Sequence, residues 1–147
     1  MILKFRAWDK HKKKMTYPDR EDEDALYITL YLDGSIDTAQ YGDFIKGFEY
    51  PKKSDIAILQ FTGLQDSAGI DIYEGDIVNL DGTVFMVCFG EFDNGEDYED
   101  NLAGIGWYLK YTKRDGNEDI WDILFLKDGS RIVGNKFENP ELLGGDK

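Results

Sequence analysis

Short apolar stretches of period two, each ended by a turn-forming pair, recur along this chain. The pairs are Asp33-Gly34, Asp81-Gly82, Asn94-Gly95, Asp115-Gly116 and Asp128-Gly129, of the kind that tolerates positive φ at both central positions of a tight hairpin turn. Leu26 to Leu32 precedes the first pair, and Ile36, Thr38 and Gln40 alternate with Ser35, Asp37 and Ala39 after it, which predicts one hairpin. Around the second pair, Asp76 to Leu80 faces Thr83 to Phe92. The centre of the latter, Val84 to Phe89, is apolar on both faces, so it is expected to be a central strand. Ile105 to Thr112, Ile120 to Leu126 and Arg131 to Phe137 carry the same period and the same enrichment in aromatic and branched residues.

Helix signals are few. Asp43 to Tyr50 reads as a short turn, since it contains Gly47 and stops at Pro51. At the end of the chain Asn139 can cap, Pro140 suits the first helical position and Glu141 complements the positive end of the dipole. With only Leu142 and Leu143 before Gly144 and Gly145, this makes a single turn that docks two leucines on the β body or on a neighbouring subunit. The pattern predicts a mainly β fold of antiparallel hairpins.

Composition narrows the picture. At 147 residues, with 41% hydrophobic and 14% aromatic content, the chain can bury a core and is expected to form a single domain, with a possible β subregion over 1–58 and a barrel subregion over 59–143. Seventeen basic against thirty acidic residues leave a net charge of −13, which repels phosphate backbones, so direct nucleic-acid binding is not expected. The exception is local: Lys10, His11, Lys12, Lys13 and Lys14 form a basic run beside Lys4 and Arg6, read as a solvated turn. A single cysteine, Cys88, cannot make an internal disulfide, no apolar run reaches the roughly 18 residues of a membrane span, and no secretion signal is legible; the expected location is the bacterial cytoplasm, away from membranes.

Little chemistry can be assembled from these residues. His11 is the only histidine, so a Ser-His arrangement or a histidine metal cluster has no basis in one chain. Cys88 lies in the most apolar strand and reads as core. Gly104, Ile105 and Gly106 lack the lysine and helix of a phosphate loop, and point to tight packing or a bulge. Two acidic clusters remain, one of Asp19, Glu21, Asp22, Glu23 and Asp24, the other of Glu91, Asp93, Glu96, Asp97, Glu99 and Asp100. Counted from Asp93 as the first position, the second cluster has Tyr98 where an EF-hand needs glycine and Gly104 where it needs glutamate, so it reads as a solvated hairpin loop. Neither cofactor nor metal is expected.

Three ordered anchors carry a resemblance. Lys4, Phe5, Arg6, Ala7, Trp8 and Asp9 lead to Met15 and Tyr17; Leu59 to Asp66, then Gly69, close with Ile72, Tyr73, Glu74, Gly75, Asp76, Ile77 and Val78; and Ile132, Val133, Gly134 and Asn135 precede Phe137 to Leu143. In these the chain resembles the YopX family of small proteins encoded by phages and prophages of Gram-positive bacteria. The segments Ala25 to Ser54 and Glu91 to Ile123 match none of its pattern. The resemblance implies an SH3-like barrel portion, which the sharp turn at Glu74-Gly75-Asp76 would open, and it implies no reaction.

The expected role is therefore that of a non-enzymatic phage accessory protein. It would self-associate and present an aromatic and acidic surface to a host or phage protein. Candidate anchors are Trp8, Trp107, Tyr108, Tyr111 and Trp121, for which core burial is the competing role. Tyr73 and Asp76 are candidates too, although Tyr73 could simply close the barrel end and Asp76 accept amides from its turn. Alternatives are an acidic mimic of DNA that occupies a host nucleic-acid-binding protein, a metal-dependent hydrolase using the Glu91 to Asp100 carboxylates, and a virion component.

Overall fold

The structure is a computed structural model that describes residues 3–22, 24–93, 103–113 and 115–143. Outside these lie Glu23 of the first acidic cluster, the Asn94-Gly95 pair, Glu96, Asp97, Tyr98, Glu99, Asp100, and the Gly144-Gly145 pair. Contacts divide the chain between Leu59 and Gln60 into two units, each with its own hydrophobic core. The fold is mainly β, with antiparallel sheets.

The Lys4–Leu59 unit begins with β1 (Phe5–Asp9), a four-residue turn and β2 (Lys14–Thr16), paired through Ala7 and Thr16. β3 (Tyr27–Leu30) and β4 (Ile36–Asp43) form the hairpin expected around Asp33-Gly34, where Asp33 Oδ1 accepts from the Ser35 amide at 2.9 Å. β4 then turns straight into β5 (Gly47–Glu49), a hairpin in place of the expected bare turn. Local polar chemistry makes it: Asp43 Oδ1 accepts from the amides of Ile45 (2.8 Å) and Lys46 (2.7 Å). Gly42 has φ +89°, and any Cβ there would collide with the Gly47 carbonyl oxygen. A single 3-10 turn, Lys53–Asp55, leads into β6 (Ile56–Gln65), whose start lies beside β1. Ala7, Leu26, Ala39, Tyr41 and Ile56 form the core of this unit.

From Gln60 onward the end of β6 pairs with β7 (Asp71–Tyr73) through Phe61 opposite Tyr73 and Gln65 opposite Asp71. Then β8 (Asp76–Leu80), β9 (Thr83–Asp93), β10 (Ala103–Thr112) and β11 (Glu118–Asp122) follow as a meander. β12 (Arg131–Asn135) returns to pair with β8, giving the sheet order β11-β10-β9-β8-β12. A four-strand meander, a 3-10 turn and a fifth strand back beside the first is the strand order of an SH3-like barrel. As its two-sided apolar pattern requires, β9 is central, and Ile72, Val78, Leu80, Phe85, Val87, Leu109 and Leu126 form the core.

Two expectations are corrected in this unit. The strand expected over Ile120 to Leu126 stops early: β11 ends at Asp122, whose side chain accepts from the Leu124 amide at 2.9 Å and starts a 3-10 helix, Ile123–Asp128. Gly129, left-handed at φ 102°, ends that helix, so Asp128-Gly129 is a helix terminus and not a hairpin turn. At the end of the chain the helical turn is a 3-10 turn, Pro140–Leu143. Asn139 Oδ1 reaches back to accept from the Asn135 amide at 3.2 Å, and Gly134 leaves room for that side chain.

The central block serves as a clamp. Asp66, buried in the loop after β6, accepts three amides: Ala68 (2.9 Å) and Ile70 (3.0 Å) on Oδ1 and Ile132 (3.1 Å) on Oδ2. The Ser67 amide and hydroxyl both bond the Ser130 carbonyl. Gly75, at φ 86°, donates to the Val87 carbonyl and accepts from the Lys136 amide. The loops flanking β7 are thereby tied to β9 and β12.

Candidate functional site

In the unit from Gln60 onward, aromatic side chains form a connected row from the core to the surface. Phe85 is fully buried; its ring centroid lies 5.9 Å from Tyr111 and 5.1 Å from Trp121, and Trp121 lies 5.1 Å from Phe125. The row ends at the surface because β11 is the edge of the sheet and because the 3-10 helix places Phe125 just beyond Trp121. Trp121 is 39% exposed and Phe125 43%. They line a groove of about 420 Å³ with Leu80, Asp81, Thr83, Phe85 and Gly129. This surface is mixed, with Asp81 and Thr83 beside the apolar residues, and its aromatic anchor is seated in a packed row.

The other expected anchors sit differently. Trp8 and Tyr73 are buried in the folded chain, and so is Asp76, whose Oδ2 accepts the Tyr73 amide at 2.8 Å. Trp107 is half-buried against Phe89, and Tyr108 against Phe92. Tyr111 is half-buried behind Phe85. Of the seven, only Trp121 is exposed. Phe125 was missed because it reads as one more strand residue.

A second concave surface belongs to the Lys4–Leu59 unit. Lys12, Lys14, Asp24, Tyr41, Gly42, Lys46, Gly47, Phe48 and Glu49 line a cleft of about 680 Å³. Asp9 builds it from below. Its Oδ1 accepts the amides of His11 (2.9 Å) and Lys12 (3.1 Å), shaping the basic turn, and its Oδ2 accepts the Tyr41 hydroxyl at 2.7 Å. Burial pushes the Asp9 carboxyl up, but the Tyr41 hydroxyl and the two amides outweigh it and hold the group below its ordinary value. Burial, then the Asp9 partnership, raises Tyr41 far above the usual phenol range. Lys12 Nζ lies 3.9 Å over the Tyr41 ring and 2.9 Å from Glu49; Lys14 Nζ is 3.0 Å from Asp22 and donates to the Asp24 carbonyl. Arg6, by contrast, is buried, with a hydrogen bond to the Tyr17 hydroxyl, and takes no part in the basic surface.

Beside this cleft the β4–β5 hairpin exposes apolar groups. Phe44 and Ile45 at its tip are 96% and 95% exposed. Phe48 packs edge-on to Phe44 at 5.2 Å and stacks with Tyr50 at 6.3 Å. The charge is also unevenly spread. Lys4 to Leu59 holds ten Lys and Arg against eleven Asp and Glu, a net of −1, whereas the rest of the chain holds seven against nineteen, a net of −12.

Among the described residues, the groups suited to covalent or metal chemistry are engaged elsewhere or apart. Burial pushes the Cys88 thiol up, only partly offset by Lys110 and by a hydrogen bond with Tyr108 across the β9–β10 pair. Burial, followed by Cys88, in turn raises Tyr108. Among the described residues no three His, Cys, Asp or Glu side chains gather closely enough to hold a metal ion, and no helix is long and apolar enough to cross a membrane.

None of the curated proteins matches this chain. Among solved structures, the crystal structure of protein EF1440 from Enterococcus faecalis is similar at 22% identity, with a TM-score of 0.49 over 97% of this chain and 99% of that one. The model of the YopX protein family matches residues 4–144, all three sequence anchors included, and the chain belongs to that family.

Proposed function

We propose that this chain is a non-enzymatic interaction module that self-associates and receives a partner protein in the groove beside Trp121. The observation that carries this reading is the aromatic row Tyr111-Phe85-Trp121-Phe125, buried at one end and open at the other. Such a row holds Trp121 in one orientation before binding, so little side-chain entropy is lost on contact. Tryptophan in a packed setting is also the residue type that most often dominates interface energy.

The test is capture of partners from host cells with tagged wild type, Trp121→Ala and Phe125→Ala. A partner retained by wild type and lost from Trp121→Ala, by about 2 kcal/mol or roughly thirtyfold in Kd, supports the reading. Retention by both variants at wild-type affinity overturns it. Because Trp121 packs on buried Phe85, Trp121→Ala should lower the melting temperature, so circular dichroism at the assay temperature, together with Trp121→Phe as the conservative variant, separates lost binding from lost fold.

A second reading draws on the −12 charge of the residues outside Lys4–Leu59. An acidic unit of this kind would occupy a basic host protein in place of nucleic acid. Binding that collapses between about 0.1 and 0.5 M salt favours it over the groove.

A further inference from the structure

We infer that the outer edge of β10 over residues 103–107 pairs with the same segment of a second copy, antiparallel about a two-fold axis at Ile105, so that two sheets join edge to edge. This rests on the self-association in the reading above and names the surface that makes it. β11 pairs with β10 only from Tyr108 onward, so before that point β10 is itself the edge, and none of the described strands lies against it. Natural edges are blunted by lysine, proline or a bulge. This one consists of Ala103, Gly104, Ile105, Gly106 and Trp107, keeps an unbroken register with β9, and leaves Ile105 81% exposed.

The backbone itself specifies the occupant. In an antiparallel sheet the N–H and C=O of one residue point to the same side, and that side alternates along the strand. The Val87 carbonyl accepts from the Gly75 amide, away from β10, so Cys88, Gly90 and Phe92 are the residues that bond their β10 partners Tyr108, Gly106 and Gly104. Ala103, Ile105 and Trp107 therefore aim their N–H and C=O outward. Lys113, on the same alternation just past the strand, donates to the Asn117 carbonyl on the β11 side. A two-fold axis at Ile105 sets Ile105 opposite its own copy and Ala103 opposite Trp107, and each such pair exchanges two hydrogen bonds, so no outward group of the segment is left over. The side chains agree with this register. On one face small Ala103 meets large Trp107 and isoleucine meets isoleucine; on the other Gly104 meets Gly106, and no charge faces a charge. β11 limits the pairing to this segment, and about five residues is the usual length of a strand. Pairing of this kind uses the same patch on both copies and closes at a dimer.

Sedimentation of the full chain across concentration compares wild type with Ile105→Pro. Proline removes one outward N–H from each copy and none that β9 uses, so the thermal melt should stay close to wild type. Dissociation should set in at concentrations about tenfold or more above wild type. In a Cys88→Ser background, Ile105→Cys brings two thiols together on Cα atoms about 5.5 Å apart, within disulfide range, so oxidised glutathione should link the dimer. Ala103→Cys leaves the two thiols about 13 Å apart along the strand and should not link. If wild type stays monomeric throughout, self-association fails and this inference with it, while the Trp121 groove stands or falls by its own capture test. If wild type associates but Ile105→Pro does so equally well, or Ala103→Cys links as fast as Ile105→Cys, the edge assignment alone falls. Because the segment is uncharged and each copy carries −13, added salt should tighten the association; weakening by salt would place opposite charges at the interface and overturn the inference.

Discussion

Replacing Asp66 by alanine is expected to destabilise the chain by about 2–4 kcal/mol, although the residue touches none of the proposed binding surfaces. The carboxylate accepts three amides. Those of Ala68 and Ile70 lie in an exposed loop and can turn to water, at about 0.5–1 kcal/mol each. The Ile132 amide lies within β12 and is half-buried, so leaving it unpaired costs about 1–2 kcal/mol more. For a chain of this length the sum corresponds to a fall in Tm of about 10 °C. Asp66→Asn keeps one acceptor oxygen and should lose about half as much. Burial pushes the Asp66 carboxyl up, but the amides of Ile132, Ile70 and Ala68 outweigh it, so its folded value lies below the ordinary one. A lowered value places the charge-dependent stabilisation above about pH 4, the unfolded range, and removes it as pH falls through the folded value. Urea titrations at pH 7, 5 and 3.5 should therefore show the gap between wild type and Asp66→Asn shrinking at the acid end. A loss under 0.5 kcal/mol for Asp66→Ala, or a gap that widens on acidification, would refute the clamp.

Three further outcomes follow from the same structure. Tyr41→Phe removes the hydroxyl donated to buried Asp9 and should cost about 1.5–3 kcal/mol by urea titration at pH 7, with the cost falling below about pH 4 as Asp9 takes up its proton. Gly42→Ala, at φ +89° and against the Gly47 carbonyl, should cost about 1–3 kcal/mol and speed amide exchange in β5; unchanged exchange there would show that the hairpin tolerates a side chain. Cys88, half-buried and pushed up by burial, should react with a thiol reagent at pH 8 more slowly than a free thiol, and faster reaction would mark it as an activated nucleophile.

How far each element could be read beforehand depended on whether its cause was local. The β3–β4 and β8–β9 hairpins were legible because Asp33-Gly34 and Asp81-Gly82 carry the turn within themselves; Asp81 and Gly82 sit at φ 51° and 86°. The 3-10 helix after β11 was not, because Ile123 to Leu126 are branched or aromatic apolar residues like those of a buried strand, and the deciding event is one hydrogen bond to the Asp122 side chain. β12 was read as a strand, but its pairing with β8 depends on contacts far away in sequence. The candidate surfaces divide the same way. Aromatic content pointed to Trp121, yet exposure separates it from buried Trp8 and Tyr73, and exposure is set by sheet position. The basic run looked like a plain turn because the walls that make it a cleft, Tyr41 to Glu49, arrive some thirty residues later.

The residues that identify the family and the residues that would meet a partner are largely different. Asp66, Gly75 and Asp76, all from the central anchor, hold loops and strands together through buried or turn-bound hydrogen bonds. Gly134 and Asn139, from the last anchor, do the same. The exposed apolar groups Phe44, Ile45 and Phe48 fall within Ala25 to Ser54, and Trp121 falls within Glu91 to Ile123, both outside the three anchors read from the sequence, although the family model spans them. A scaffold signature constrains what must be packed and leaves free what is not. Family membership therefore transfers the architecture to this chain but not a partner. Exchanging Phe44 to Phe48, or Trp121 with Phe125, between two members should move binding preference and leave stability nearly unchanged, whereas exchanging the Asp66 loop should do the reverse.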